Sequence, residues 1–378
     1  MSCGRPAAHS GRHPAASGRL HPLEARRRGA RLERRSPRRG EAGVTALIEL
    51  DHVSRAFATP AGAITAVDAV SLALGRGEAM CLVGESGCGK TTTGRLLTGL
   101  LRPTGGRLLY EGKDVWLTKG ADLARFRRAV QLVHQDPYAS LNPTRTVFQT
   151  LSAPLYRHKK ANSSRQALAA VTELLKRVDL TPPENFVTKY PHQLSGGQRQ
   201  RVAIARALTV DPKVIVADEA VSMVDVSIRI SLLNLLLALA KEFGVTIVLI
   251  THDLAVARYF ARRGRIGVMY LGRMVELADT EALVTDPAHP YSAALIAAIP
   301  EADPDITRSK TRVELRSAEI PSLLSLPPGC TFHPRCPLSE AGLCDVKIPE
   351  LLAIPGAREV ACHVAVRERT GARAAVTA

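Results

Sequence analysis

The segment Gly84-Glu-Ser-Gly-Cys-Gly-Lys-Thr91 constrains this chain more than any other, because of what stands on either side of it. The run Glu78-Ala-Met-Cys-Leu-Val83 before it is almost continuously apolar, and residues 91–101 after it read as a helix. A continuous apolar run is the pattern of a strand buried on both faces, so the context is buried strand, glycine loop, helix. The spacing G-x-x-x-x-G-K-[ST] lets backbone amides turn inward around phosphate groups at a helix start. In that arrangement Lys90 supplies a point charge to the terminal phosphates and Thr91 offers its hydroxyl to Mg²⁺. The nucleotide-binding candidates here are Gly84, Glu85, Ser86, Gly87, Cys88, Gly89, Lys90, Thr91 and Thr92. The Cys88 side chain is expected to be incidental, since backbone amides make the contacts.

Three further β-branched runs, Val130-Gln-Leu-Val-His, Val214-Ile-Val-Ala and Val245-Thr-Ile-Val-Leu-Ile, alternate with helical patterns, as a parallel sheet with helical crossovers requires. Residues 46–53 and 64–74 alternate apolar and polar positions, predicting an antiparallel edge sheet. Residues 147–208 read as mostly helical. The fold class expected is therefore α/β: a P-loop NTPase, by its glycine loop, with a parallel sheet core, an antiparallel β portion and a mostly helical portion. A small cysteine-containing C-terminal domain follows. The boundaries expected are a disordered Arg-rich leader at 1–45, a nucleotide-binding domain at 46–285, a cysteine domain at 286–364 and a tail at 365–378.

Charge decides little. The chain of 378 residues has a formal net charge of +16, but residues 1–43 carry eleven arginines against Glu24, Glu33 and Glu41, half of that excess. The leader has too few large apolar residues to offset chain entropy and no apolar run of a secretory signal. A translation start near Val44 is an alternative reading of it. The remaining, mildly basic body suits a protein docked beneath a membrane as well as one that binds nucleic acid. The longest apolar stretches, residues 230–240 and 245–250, fall short of the ~20 residues a spanning helix needs.

Val214-Ile-Val-Ala-Asp-Glu219 ends an apolar strand with two carboxylates, placing Asp218 toward a metal and Glu219 beside a terminal phosphate. Leu194-Ser-Gly-Gly-Gln-Arg-Gln-Arg201 opens a helix whose free amides at Ser195, Gly196, Gly197 and Gln198 suit a second anion contact. With both motifs in this order, the chain resembles the ATP-binding cassette ATPases over residues 46–378. The resemblance implies that Phe57 stacks on adenine, that Gln135 reaches Mg²⁺ and senses the γ-phosphate, and that Thr91 and Asp218 complete the Mg²⁺ site. It further implies that Glu219 polarises the attacking water, that His252 contacts the γ-phosphate, and that Asp225 belongs to a loop at the partner interface. A head-to-tail dimer is implied, in which Ser195 and Gly197 close over nucleotide held by the other subunit. Ala220, Met223 and Val224 depart from the family's usual DEPVSALD, leaving Asp218, Glu219 and Asp225 intact.

Longer matches lie at Gln135-Asp-Pro-Tyr-Ala-Ser-Leu-Asn-Pro143, at residues 286–300 and at Gly329-Cys-Thr-Phe-His-Pro-Arg-Cys336. These are similar to the dipeptide and oligopeptide importer branch. The implied partners are a second ATPase subunit, two membrane permeases and an extracytoplasmic peptide-binding protein, with the chain peripheral at the cytoplasmic face of the inner membrane. Nickel and glutathione importers share much of the cassette. Cys330, Cys336, Cys344 and Cys362 are spaced C-x5-C-x7-C-x17-C, without the close C-x2-4-C pair usual for zinc. By resemblance they suggest a [4Fe-4S] cluster, with zinc as the alternative. No nucleic acid is expected; the competing class is a soluble cassette ATPase acting on nucleic acid or ribosomes.

Overall fold

The computed structural model describes residues 46–60, 62–222, 224–299 and 313–371. The leader expected at 1–45, Met223 and residues 372–378 of the tail lie outside the described residues. The strands are β1 (Ile48–Thr59), β2 (Gly62–Leu74), β3 (Ala79–Val83), β4 (Gly105–Tyr110), β5 (Lys113–Asp114) and β6 (Val130–Val133), followed by β7 (Val214–Asp218), β8 (Thr246–Ile250), β9 (Arg265–Tyr270), β10 (Arg273–Asp279), β11 (Leu352–Ile354) and β12 (Arg358–Val360). They form a four-stranded sheet in the order β2-β1-β4-β5 and an eight-stranded sheet in the order β11-β12-β10-β9-β3-β8-β7-β6.

β9, β3, β8, β7 and β6 run parallel, and their side chains feed two cores. Met80, Leu82, Val214, Val216, Val248 and Ile250 face one; Cys81, Val83, Ile215, Ala217, Ile247 and Leu249 face the other. Burial on both sides explains why these runs are continuous in sequence rather than alternating. Each such leucine, valine or isoleucine contributes roughly 1.5–3 kcal/mol relative to exposure. The first core is closed by the helix Lys90–Leu97 and by the inner face of the antiparallel sheet, including Ile48, Leu50, Leu72 and Leu108. The second is closed by the helices Val147–Arg157, Ser164–Arg177, Gly196–Leu208 and Val226–Phe243.

The strand pairs expected at residues 46–53 and 64–74 are antiparallel partners, and residues 147–208 are mostly helical. The helix after the glycine loop stops at Leu97, short of the 101 expected; Gly99, with φ +64°, turns the chain out of it. Two strands that no sequence reading singled out, β9 and β10, continue the main sheet as an antiparallel pair.

The boundary expected at 286 does not set the C-terminal region apart. β12 pairs with β10, Glu276 opposite Val360, and Tyr291 and Phe332 are buried in the same core as Tyr270 of β9. Their rings lie 4.7–5.4 Å apart, centroid to centroid. The helix His363–Thr370 crosses the boundary expected at 364. It is held by Arg369, which donates to both oxygens of Asp286 at 2.6 and 2.7 Å, and by the Arg367–Glu340 ion pair.

Candidate active site

β3 lies between β9 and β8, and the glycine loop leaves its C-terminal end. β8, β7 and β6 end on the same edge of the sheet, so the residues that follow them, His252, Asp218 with Glu219, and Gln135, are delivered side by side. This is the edge where open parallel sheets bind ligands. The backbone of the loop demands glycine at two points. At Gly84 (φ +151°) a Cβ would stand 2.2 Å from the Met269 carbonyl oxygen, and at Gly89 (φ +101°) 2.3 Å from that of Ala66. Lys90 is buried at the helix start, its Nζ donating to the carbonyls of Gly84 and Glu85, both at 2.8 Å. Ser86 and Gly87 are exposed at the loop tip, and Thr92 is half-buried on the helix. The Cys88 side chain, expected to be incidental, packs into the core beneath the loop with its Sγ 3.7 Å from Lys90 Nζ. Burial pushes its thiol pKa up, against the pull of Lys90.

Opposite the loop, Thr91 Oγ1 donates to Asp218 Oδ1 at 3.1 Å. Burial raises the Asp218 pKa above the ordinary carboxylate value, opposed by this hydrogen bond and helped by the neighbouring Glu219 charge. Glu219 gathers the rest: Gln135 Nε2 donates to its Oε2 at 2.8 Å, and His252 Nδ1 lies 3.1 Å from its Oε1. Its backbone has φ +46°, a conformation that costs a non-glycine residue about 1–3 kcal/mol. It is fixed by the bond from Glu219 N to the Ile250 carbonyl at 2.9 Å and by the bond from Ser222 Oγ to the Glu219 carbonyl, also 2.9 Å. Three chemically distinct groups, carboxylate, amide and imidazole, therefore meet at one point. The hydroxyl and carboxylate of Thr91 and Asp218, with the Gln135 amide nearby, are the hard oxygen donors that Mg²⁺ prefers.

Ser195 is the exposed N-cap of the helix Gly196–Leu208. Its hydroxyl accepts from Gln198 N at 3.3 Å, and its own N–H donates to Gln198 Oε1 at 3.0 Å. This reciprocal cap occupies the Gln198 side chain. Gly197 is buried against Ile228. Among the described residues no hydrogen bond joins Ser195, Gly196, Gly197 or Gln198 to the glycine loop of the same chain. Phe57 is half-buried on β1 with the Arg55 guanidinium 4.8 Å from its ring centroid. Asp225 is an exposed N-cap of the helix Val226–Phe243, with no side-chain capping bond.

Sequence reasoning missed two features. Arg199 stacks its guanidinium 3.5 Å from the Tyr138 ring centroid, tying the loop after Gln135 to the Ser195 helix. Tyr291 and Arg335 reach the glycine loop from more than 200 residues away. A cation–aromatic pair between residues some sixty positions apart leaves no periodic trace in a sequence.

The cysteines Cys330, Cys336, Cys344 and Cys362 are free thiols, all but Cys330 buried. Burial pushes Cys330 up to about 11 and Cys336 to about 12, and the neighbouring cysteines add to the rise. Cys330 N donates to the Cys344 carbonyl at 2.8 Å. Among the described residues, no three His, Cys, Asp or Glu side chains converge closely enough to hold a metal ion. The four thiols are thus neighbours of suitable chemistry, not a ligand cage.

A glycine loop on the central strand of a parallel sheet, facing a strand-end carboxylate pair and flanked by antiparallel and helical layers, defines a P-loop nucleotide-binding cassette. The family model for the ABC transporter matches residues 67–222, and that for the oligopeptide/dipeptide transporter, C-terminal region, matches residues 275–344. A probable peptide ABC transporter ATP-binding protein, y4tS, of Sinorhizobium fredii is 46% identical over 308 residues, 82% of this chain and 85% of that protein. The oligopeptide transport ATP-binding protein OppF of Bacillus subtilis is 46% identical over 267 residues, 70% of this chain and 86% of that protein. The dimeric cassette MJ0796, a bacterial ABC transporter cassette, is 31% identical and superposes with a TM-score of 0.56, covering 62% of this chain and 98% of that one. The chain belongs to the ABC transporter family, among the ATP-binding proteins of the oligopeptide/dipeptide branch, and is an ABC-type ATPase.

Proposed function

We propose that this ATPase powers import of dipeptides or oligopeptides through two membrane permeases, paired with a second ATPase subunit and supplied by an extracytoplasmic peptide-binding protein. The observation that carries this reading is the joining, in one chain, of the cassette and the oligopeptide-type C-terminal region. Relatives at 40–46% identity named for peptide or oligopeptide transport support it. No helix among the described residues is long and apolar enough to cross a membrane, so the reading places the chain peripherally at the inner face.

In this reading the amides of the glycine loop and Lys90 hold the ATP phosphates, and Phe57 stacks on adenine. Thr91, Asp218 and Gln135 would hold Mg²⁺, whose charge offsets that of the phosphates. Glu219 orients and polarises the attacking water, while Gln135 and His252 hold its carboxylate in place, so catalysis is positioning and charge neutralisation. Ser195 and Gly197 of a second subunit cap the nucleotide, with Asp225 at the same interface. Cys330, Cys336, Cys344 and Cys362 would hold a [4Fe-4S] cluster, zinc being the alternative, only by drawing closer together than the structure places them; free soft thiols suit either. Anaerobic purification followed by iron, sulfide and zinc analysis decides between them.

The function is tested by purifying the tagged chain from native membranes, identifying every bound subunit, and measuring uptake of labelled dipeptide in cells with and without it. Permeases and a solute-binding protein together with lost uptake are expected. Nickel or glutathione uptake lost instead would reassign the substrate. Association with ribosomes or RNA alone would overturn the reading.

A further inference from the structure

Glu85, the second residue of the glycine loop, is held at three separate points. Its carbonyl accepts from Lys90 Nζ at 2.8 Å. Its backbone N–H donates to the Tyr291 hydroxyl at 2.9 Å. Its carboxylate is gripped by Arg335, Nη1 donating to Oε2 at 3.0 Å and to Oε1 at 3.2 Å, and Nη2 to Oε1 at 3.1 Å. Two of these three holds come from the C-terminal region, outside the cassette's own motifs. Neither is a surface accident: Tyr291 and Arg335 are 1% and 6% exposed, and both pack into the aromatic cluster of Tyr270, Tyr291 and Phe332. A buried, bidentate arginine–carboxylate pair fixes orientation as well as position.

We infer that Arg335 and Tyr291 are positioning residues of the nucleotide site, by which the C-terminal region fixes the first turn of the glycine loop and thereby sets affinity for MgATP. The chemistry is direct. Lys90 is steered by the carbonyls of Gly84 and Glu85, so a shift of Glu85 moves both the loop backbone and the charge aimed at the phosphates. The inference rests on the reading that this loop holds the ATP phosphates, and the experiment separates the two.

Equilibrium binding of MgATP to the full chain is measured alongside steady-state hydrolysis for Arg335→Met, Arg335→Lys, Tyr291→Phe and Glu85→Gln. Arg335→Met leaves the Glu85 carboxylate half-buried without its partner, so the dissociation constant is expected to rise roughly tenfold. KM for ATP rises with it, while kcat at saturating ATP stays within about twofold. Arg335→Lys, which keeps charge but loses the fork, gives an intermediate shift and guards against a Met variant that fails to fold. Combining Glu85→Gln with Arg335→Met is expected to be less damaging than the sum of the two, because they act on one contact. Unchanged MgATP affinity in Arg335→Lys and Tyr291→Phe, or strict additivity in the double variant, overturns the inference. Lys90→Ala is the control: if it binds MgATP like the parent, the phosphate reading itself has failed, whatever Arg335 does.

Discussion

His289 gives a prediction whose size follows from its surroundings. It is fully enclosed, 1% exposed, and caps the helix Pro290–Ala297 through Nδ1, which accepts from Tyr291 N at 3.0 Å. Phe332 packs on its ring, centroids 5.7 Å apart. The Glu276 carboxylate accepts from the His289 backbone N–H at 2.9 Å, and its own pKa is raised by burial. Burial holds the His289 imidazole at about 3, against an ordinary 6.5. Between those values the unfolded chain binds a proton that the folded chain refuses, so stability is complete above pH 6.5 and falls as the pH drops toward 3. From pH 7 to pH 4 this single group removes about 3 kcal/mol. His289→Asn keeps a capping oxygen and removes the titration. Urea unfolding at pH 7, 5.5 and 4 should show the variant less stable at pH 7, by roughly 1–3 kcal/mol of lost packing, with the difference moving by about 3 kcal/mol in the variant's favour by pH 4, enough to close or reverse it. A parent-to-variant difference that does not change with pH would refute the reasoning.

Two other outcomes follow. Gly89→Ala forces a Cβ to 2.3 Å from the Ala66 carbonyl at φ +101°; it should cost at least about 1–3 kcal/mol by thermal unfolding and abolish MgATP binding, and near-parental values would show that the loop has room it lacks here. Asp286, held at about 2 mainly by its hydrogen bonds to Arg369, contributes stability present above pH 3.8 and lost as the pH falls through 2. Because the pair is partly exposed, Arg369→Met should cost under about 1 kcal/mol at pH 7, with most of that cost gone by pH 2, read by acid titration of the unfolding midpoint.

The cassette was legible because its elements declare themselves locally. A strand buried on both faces is a continuous apolar run, as at β3, β7 and β8, and a phosphate-type loop needs glycines at fixed spacing. That Gln135, Glu219 and His252 share one site was implied by the family resemblance alone; their meeting on the Glu219 carboxylate is visible only in the structure. β9 and β10 were not legible, because Gly267 interrupts the apolar run of β9 and Glu276 that of β10. Glu276 is fully buried in β10 and satisfied by the amides of Ala288 and His289. The fusion of the C-terminal region with the sheet was hidden for the same reason. Its contacts, Arg335 to Glu85 and Val360 to Glu276, join residues far apart in sequence, whereas its composition, rich in proline and cysteine, reads as a separate unit.

The central claim is that Glu219, held by Gln135 and His252 over the Thr91–Asp218 pair, activates water against ATP bound in the glycine loop. Rapid-quench assay of radiolabelled ATP on the Glu219→Gln protein tests it most directly. The account predicts intact ATP retained on the protein at near-parental affinity, with phosphate release slowed at least about a hundredfold. Phosphate release at the parental rate would contradict it.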